Sequence, residues 1–401
     1  MPVPSVRIFT GLGSLGGETE ITSTVTDIRI WRGRRDLLDP IQPGQATLRV
    51  KNFDGAFDDG GTLAGDVPIN EPLRILAAGT AFNYPVFSGR IQSVQLDYQP
   101  GDVAYGTIVA FDGLSQLSKR TLSEHTTAQG PPGDVITSLL TRSEVDWDFS
   151  IYPQWINVGV TPQSFYREVA TGASTIASTY VPSGTNCLDL MRRITESEVG
   201  NLFVRSRGGI SFRGRYDVPA DASLEFTETT AGGSRTAATF MRLTGTNGAS
   251  TVANRVVYTS VGQSPQVADD AVSQAAYGVV GYEKTDTLLA TEAGTDASAE
   301  YLLSVLADPS WRVTSVEVRP LGVSVAGREA LLALDIGHKV VVSVNLPSTS
   351  VTRTYVVQGI EHTITPGDHV MTVWVSLDIA STANLFQLGT SALGGTDPLG
   401  N

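Results

Sequence analysis

The sequence predicts a mainly β fold with some α, in which two β-barrel domains flank, or are interleaved with, a mixed α/β segment. Three observations predict it. Runs that alternate apolar and polar residues recur between turn signals through residues 1–115. Helical spacing is confined to the middle of the chain and to one later stretch. After residue 312 the pattern returns to strands.

The elements follow in order. Val25-Thr26-Asp27-Ile28-Arg29-Ile30-Trp31-Arg32 alternates with the period of a half-buried strand. Ala46 to Asn52 does the same, and Asp54-Gly55 then supplies a tight turn. Leu73–Leu76, Pro85–Val94 and Val103–Phe111 complete five strands, with Gly89 marking a bulge or a close backbone approach. Asp134 is placed to cap a short helix carrying Val135, Ile136, Leu139 and Leu140. A second helix follows Asn186, with Cys187, Leu190, Met191 and Ile194 on one face and Gly200 as its stop. Leu202–Val204 and Ile210–Arg213 read as a hairpin turned by Gly208-Gly209.

Residues 228–236 read as a linker, Asn254–Tyr258 as a strand, and 262–274 as a long loop. Ala299, Leu302, Leu303 and Leu306 share a helical face that Asp296 is placed to cap. Arg312–Val318, Lys339–Val344, Thr354–Gly359 and Met371–Leu377 are the closing strands, and the tail from Ser381 reads as loose. The resulting division is a first β-barrel domain over 1–115, a mixed α/β domain over 116–235, a second β-barrel domain over 236–380 with an inserted helix near 296–307, and a C-terminal tail over 381–401. In an alternative division, residues 202–235 belong with 307–380 around that insertion.

Bulk properties narrow the function. A chain of 401 residues has room for two to four domains and a core that needs no staples. Its single cysteine, Cys187, can form no internal disulfide, which fits a reducing cytosol. The start of the chain lacks a basic segment followed by an apolar run, and no stretch is apolar enough to span a bilayer, so neither secretion nor membrane insertion is expected. A net charge of −13 argues against binding nucleic-acid phosphates. It suits a solubilising surface or a channel that DNA passes without adhering. The basic residues are nearly all Arg, from a GC-rich genome or from the demand for forked interface contacts.

Catalytic constellations are not found, and neither a cofactor nor a metal is expected. His362 and His369 flank the turn Thr365–Asp368 and can approach each other, but they read as polar residues of a hairpin end. Gly11-Leu12-Gly13-Ser14-Leu15-Gly16 has a dinucleotide-motif spelling without the strand and helix it requires, and reads as a loop. The acidic pairs Glu196/Glu198 and Asp146/Asp148 read as solvated charge rather than a glycosidase pair. Trp147, Phe149 and Ile151 alternate as one buried strand face, with Tyr152 and Trp155 nearby. Trp31-Arg32-Gly33-Arg34-Arg35 reads as a turn carrying interface or salt-bridge arginines. Trp31, Arg32, Arg34, Arg35 and Trp155 are the interface candidates.

Residues 25–58 carry a resemblance. Arg32-Gly33-Arg34, Asp36, Gly44, Ala46-Thr47, then Asn52, Asp54-Gly55 and Phe57-Asp58 follow the pattern of tail-hub and minor tail proteins of long-tailed phages, particularly those of actinobacteria. Phe87, Gly89, Arg90 and Ile91 resemble the next strand of that family. Leu334-Asp335-Ile336-Gly337-His338-Lys339-Val340 resembles a later turn, with His338 where Asp is usual, and Gly359–Gly367 with Trp374 resembles the closing hairpin. Residues 116–235 match least. The resemblance implies two barrels similar to the tail-tube protein. It further implies a structural, non-enzymatic hub in which three copies present six barrels and continue a six-fold tube around a DNA channel. The implied partners are other copies of the chain, the distal tail ring, the tape measure, tail-tip or fibre proteins and the host envelope, with DNA only in transit. The implied location is the virion, after assembly in the host cytoplasm. No hydrolase domain is expected after the last strand. The competing reading is a receptor- or carbohydrate-binding β-rich tail protein, with an aromatic platform near Trp155.

Overall fold

The computed structural model describes residues 6–11, 18–80, 83–98, 104–147, 167–217, 223–229, 235–246, 252–307, 312–346 and 349–377. The first unit contains β1 (Val6–Thr10), β2 (Thr19–Glu20), β3 (Val25–Gly33), β4 (Gln42–Lys51), β5 (Pro72–Ala78), β6 (Asn83–Asp97) and β7 (Tyr105–Phe111). They lie in the order β3-β4-β7-β6-β5-β1-β2, all antiparallel. Alternation sets which side each residue serves. Ile28 and Ile30 of β3 point inward, while Asp27, Arg29 and Trp31 face out. The sheet curls so that Ile8 of β1 and Ile30 of β3, near its two ends, share one core with Leu48, Ile75, Phe87 and Ile108. Burying a side chain such as Phe87 stabilises by about 1.5–3 kcal/mol. The turn after β4 uses Gly55 at φ +68°, as Asp54-Gly55 predicts. At Gly89 a Cβ would stand 2.3 Å from the Phe111 carbonyl oxygen, so the close backbone approach read from the sequence is present.

The middle contains α1 (Gly113–Leu117), β8 (Thr121–Leu122), β9 (His125–Thr126), α2 (Pro132–Leu140), β10 (Arg167–Val169), β11 (Tyr180–Val181), β12 (Thr185–Asn186), α3 (Cys187–Glu198), β13 (Asn201–Val204) and β14 (Ile210–Arg213). Asn186 caps α3 by accepting from the Asp189 N–H at 3.2 Å. Cys187, Leu190, Met191 and Ile194 bury the face expected of them, and Trp147 joins the same core. The remainder of the aromatic run, Phe149 to Trp155, lies outside the described residues. The hairpin β13–β14 pairs through β14 with β10.

The later part contains β15 (Leu224–Thr227), β16 (Thr236–Thr239), β17 (Arg242–Thr246), β18 (Arg255–Ser260), β19 (Gln266–Asp269), α4 (Ala271–Tyr277), β20 (Gly281–Thr287), α5 (Glu292–Leu306), β21 (Arg312–Val318), α6 (Val325–Leu332), β22 (Lys339–Leu346), β23 (Thr349–Thr365) and β24 (Asp368–Leu377). Strands β19-β18-β20 form a separate small sheet covered by α5, between β17 and β21 in the chain. The remaining strands run β17-β21-β24-β23-β22-β15-β16 around a core of Phe226, Val316, Val342, Tyr355, Ile360 and Val373.

Five strands of each unit therefore share one topology. β3-β4-β7-β6-β5 and β17-β21-β24-β23-β22 have the same chain order, the same spatial order and the same antiparallel sense. Detail repeats as well. Ile91 in β6 pairs with a turn in which Asn70 takes φ +73°, and Val357 in β23 pairs with a turn in which Gly337 takes φ +80°. One residue later each long strand carries a bulge against its hairpin partner, between Ile91 and Ser93 in one unit and between Val357 and Gly359 in the other.

Several expectations are corrected. Neither unit closes by strand pairing among the described residues; each is a curled open sheet, because β2 and β16 end their rows without meeting β3 or β17. Residues 262–274 are not a loop, since β19 and most of α4 lie there. Thr291, not Asp296, caps α5, accepting from the Gly294 N–H, so the helix begins at Glu292. Asp134 sits in the first turn of α2, whose N-cap is Pro131. Helix α3 stops at Val199, in the left-handed region at φ +57°, one residue before Gly200. Glu198 is fully buried rather than solvated. It accepts from the Ala173 and Ser174 N–H groups at 2.8 and 2.9 Å and lies 3.7 Å from Arg215, which also reaches Ser298 of α5. Glu196 pairs with Lys284, tying the small sheet to α3.

Candidate assembly surface at the joined sheets

The two units are joined edge to edge. β3 pairs antiparallel with the end of β23, from Gly33 opposite Gly359 to Ile28 opposite Ile364, which makes one 14-stranded sheet. The bulge around Gln358 lets β23 change partner, from β22 before it to β3 after it. Glycine is required where the strands approach. Gly33 has φ +95°, and a Cβ there would stand 2.2 Å from the Gln358 carbonyl oxygen. At Gly359 a Cβ would stand 2.5 Å from the Arg34 carbonyl oxygen.

The arginines of the Arg-Gly-Arg turn divide between interior and surface. Arg32 is 2% exposed and donates from Nη1 to Asp335 Oδ1 at 2.6 Å. Asp335 Oδ2 accepts from the Ser206 N–H at 3.0 Å, so one carboxylate links the first unit, the middle hairpin and the turn before β22. Burial pushes the Asp335 carboxyl up, but the Arg32 charge and hydrogen bond outweigh it and hold the group down at about 2. Arg34 donates to Gln358 Oε1, Asn201 Oδ1 and the Asp39 carbonyl, and burial lowers its guanidinium to about 10. Both side chains are thus engaged within the chain.

Arg35 and Trp31 remain at the surface. Trp31 stands edge-on to Trp374 at 4.8 Å between ring centroids, and the exposed Arg35 guanidinium lies over both rings at 5.3 and 5.5 Å. The exposed face across the joint is lined by Asp27, Arg29, Trp31, Gln45, Thr47, Arg49, Thr363 and Thr365, with a Glu361–Arg29 ion pair at 3.6 Å. Ile28 and Ile364 also line it, so this face mixes apolar surface with side chains of both charges. Trp155 lies outside the described residues.

His362 and His369 do meet, Nδ1 to Nε2 at 3.0 Å, and both are buried. Burial lowers both imidazoles, His369 to about 4, with Arg328 adding to the effect there. Among the described residues, no three His, Cys, Asp or Glu side chains gather as a metal site. None of the described helices is long and apolar enough to cross a membrane. The surface around the joint thus combines an aromatic–arginine cluster with a face of mixed apolar and charged side chains. Of the interface candidates Trp31, Arg32, Arg34 and Arg35, the structure engages Arg32 and Arg34 within the chain and brings Trp31 and Arg35 together beside Trp374. Sequence reasoning missed that Asp335 would answer Arg32 across 303 residues, although both lie in segments that carried the family resemblance.

No protein-family description matches the chain, and no curated protein is detectably similar in sequence. Solved structures are similar in fold. The tail protein from Neisseria meningitidis MC58 aligns with TM-score 0.59 at 12% identity, over 93% of this chain and 97% of that one. The 43 kDa tail protein of prophage MuSo2 from Shewanella oneidensis aligns with TM-score 0.60 at 11% identity, over 94% and 99%. Prophage tail protein gp18 from Listeria monocytogenes EGD-e aligns with TM-score 0.50 at 10% identity, over 94% and 96%. The chain has the mainly β fold of these tail proteins along nearly its whole length.

Proposed function

We propose that the chain is a structural virion protein that forms the trimeric hub of a phage tail tip. In this reading it continues the tail tube, adapts six-fold to three-fold symmetry, and surrounds a channel through which DNA passes. The observation that carries the reading is the repeated five-strand topology, with the two units fused through β3 and β23. One chain then fills two neighbouring positions of a ring, and three chains fill six. Similarity in fold to phage and prophage tail proteins supports a place in the tail.

The face over the joint is proposed to line the channel. Its charges are of both signs, Arg29 and Arg49 beside Asp27 and Glu361, so it offers DNA no uniform basic track. Trp31, Trp374 and Arg35 are proposed to contact a neighbouring tail protein, such as the distal tail ring or the tape measure. Native mass spectrometry of the purified chain tests the reading. The expected mass is three times the 42.5 kDa of one chain. A single chain at every concentration tried contradicts it.

A further inference from the structure

Resting on the hub reading, the geometry points to the seam between copies: the free edge of β17 in one copy adds antiparallel to the free edge at the end of β6 in the next, in the manner of β3 on β23 within each chain. Pairing of the two units fixes the equivalences. The bulge and the αL turn place Ile91 with Val357, hence Ser93 with Gly359 and Asp97 with Thr363. Across the hairpins, Ser93 opposes Val109 and Gly359 opposes Trp374; Val109 opposes Thr47 and Trp374 opposes Ser315; Thr47 opposes Arg29 and Ser315 opposes Thr244. Arg29 therefore corresponds to Thr244, and Ile28 to Leu243.

Inside the chain this joint is complete. Arg29 opposes Thr363, and Ile28, Ile360 and His362 beside it are all buried. The corresponding edges are open. Among the described residues, β17 pairs only with β21, and Ser93–Asp97 pairs only with β7. Leu243, Val94 and Leu96, which correspond to Ile28, Ile360 and His362, are left half-buried. An open strand edge beside partly covered apolar side chains is a surface that a second strand completes. The occupant is a second copy, because the chain already contains the matching strand in the matching topology.

The inferred register sets Thr244 opposite Asp97 of the next copy, and it brings Arg242 onto the same face, two residues along, diagonal to that carboxylate. Arg242, Thr244 and Asp97 are all exposed in the single chain. The contact is head-to-tail: β17 meets β6, never β17 itself. Such contacts close into rings or run into filaments, and three copies would close with six similar joints, three within chains and three between them.

Paired cysteines test the register. Residues directly opposite in an antiparallel pair have Cα atoms about 4.5–5.5 Å apart, within disulfide range. Cys187 is buried and stays as it is. The full chain carrying Thr244→Cys with Asp97→Cys is oxidised and run on a denaturing gel, beside each single variant and the native chain. The expected result is covalent two- and three-chain species from the double variant alone. Cross-linking of either single variant overturns the proposal, since it reports two-fold pairing. A trimer by native mass without cross-links overturns the seam and leaves the hub reading standing. Single chains without cross-links overturn both. Charge reversal gives an independent readout: Asp97→Arg shifts the assembly toward single chains, and Arg242→Glu in the same chain restores it. Absence of both effects counts against the register.

Discussion

Replacing Arg32 by Met should destabilise the chain by about 3–5 kcal/mol, because it leaves a buried carboxylate without its counter-charge. The partner is Asp335, 5% exposed, whose Oδ1 sits 2.6 Å from Arg32 Nη1. Asp335→Asn in the same chain removes the stranded charge, while an amide oxygen remains to accept from the Ser206 N–H. A double-mutant cycle by urea unfolding should therefore show a coupling of at least about 2 kcal/mol. The pH dependence has a definite sign. In the native chain the Asp335 carboxyl is held at about 2 against an ordinary 3.8, so its contribution is present above 3.8 and is lost as pH falls toward 2. Without Arg32, burial dominates and raises the carboxyl. The folded state then holds a proton that the unfolded chain releases, and stability falls as pH rises above 3.8. The penalty of Arg32→Met should thus grow between pH 4 and pH 7. Additive single effects within about 0.5 kcal/mol, or a penalty independent of pH, would refute the assignment of the pair as a buried, mutually dependent link.

Other perturbations address the same joint. Gly33→Ala should cost at least about 2 kcal/mol in thermal or urea unfolding, from a left-handed backbone and a Cβ forced onto the Gln358 carbonyl; a neutral result would show that β3 does not approach β23 this closely. His369 sits buried and neutral with its folded value at about 4 against 6.5, so between those values the unfolded chain takes up the proton and stability falls as pH drops, by up to about 3 kcal/mol from this group. His369→Gln should flatten that part of the stability–pH curve, and an unchanged curve would contradict the assignment. The Trp31–Trp374 pair should give a coupling of about 0.5–1.5 kcal/mol in an alanine cycle, read by chemical denaturation; zero coupling would mean that the rings do not meet in solution.

Local order was readable in the sequence where one period ruled. The alternation of Val25 to Arg32 gave β3, and the spacing of Cys187, Leu190, Met191 and Ile194 gave α3. Turn residues were readable where geometry admits few choices, as at Gly55 and Gly208. The small sheet around β18 was partly hidden because β19 has only four residues and α4 exposes most of its surface, so neither carries a strong period. Helix caps were misplaced where an acidic residue inside the helix imitated a cap, in the first turn at Asp134 and just beyond it at Asp296. Glu198 looked like surface charge because its partners, the backbone of Ala173 and Ser174 and the Arg215 side chain, are brought to it only by tertiary packing. The arginine turn was recognised as important, but its division into a buried Arg32 and a surface Arg35 depends on β23, more than 300 residues away. The register of the repeat was hidden for a similar reason: equivalent positions such as Ile28 and Leu243, or His362 and Leu96, share a place in the topology rather than identity.

Cryo-electron microscopy of the ring formed by the full chain tests the central claim most directly. The account predicts a three-fold particle with an axial hole and six strand-built units around it. The β17–β6 contact between copies should superimpose on the β3–β23 contact within each. A map showing a single chain, a two-fold pair, or a ring whose copies meet through the small β18 sheet instead would contradict it.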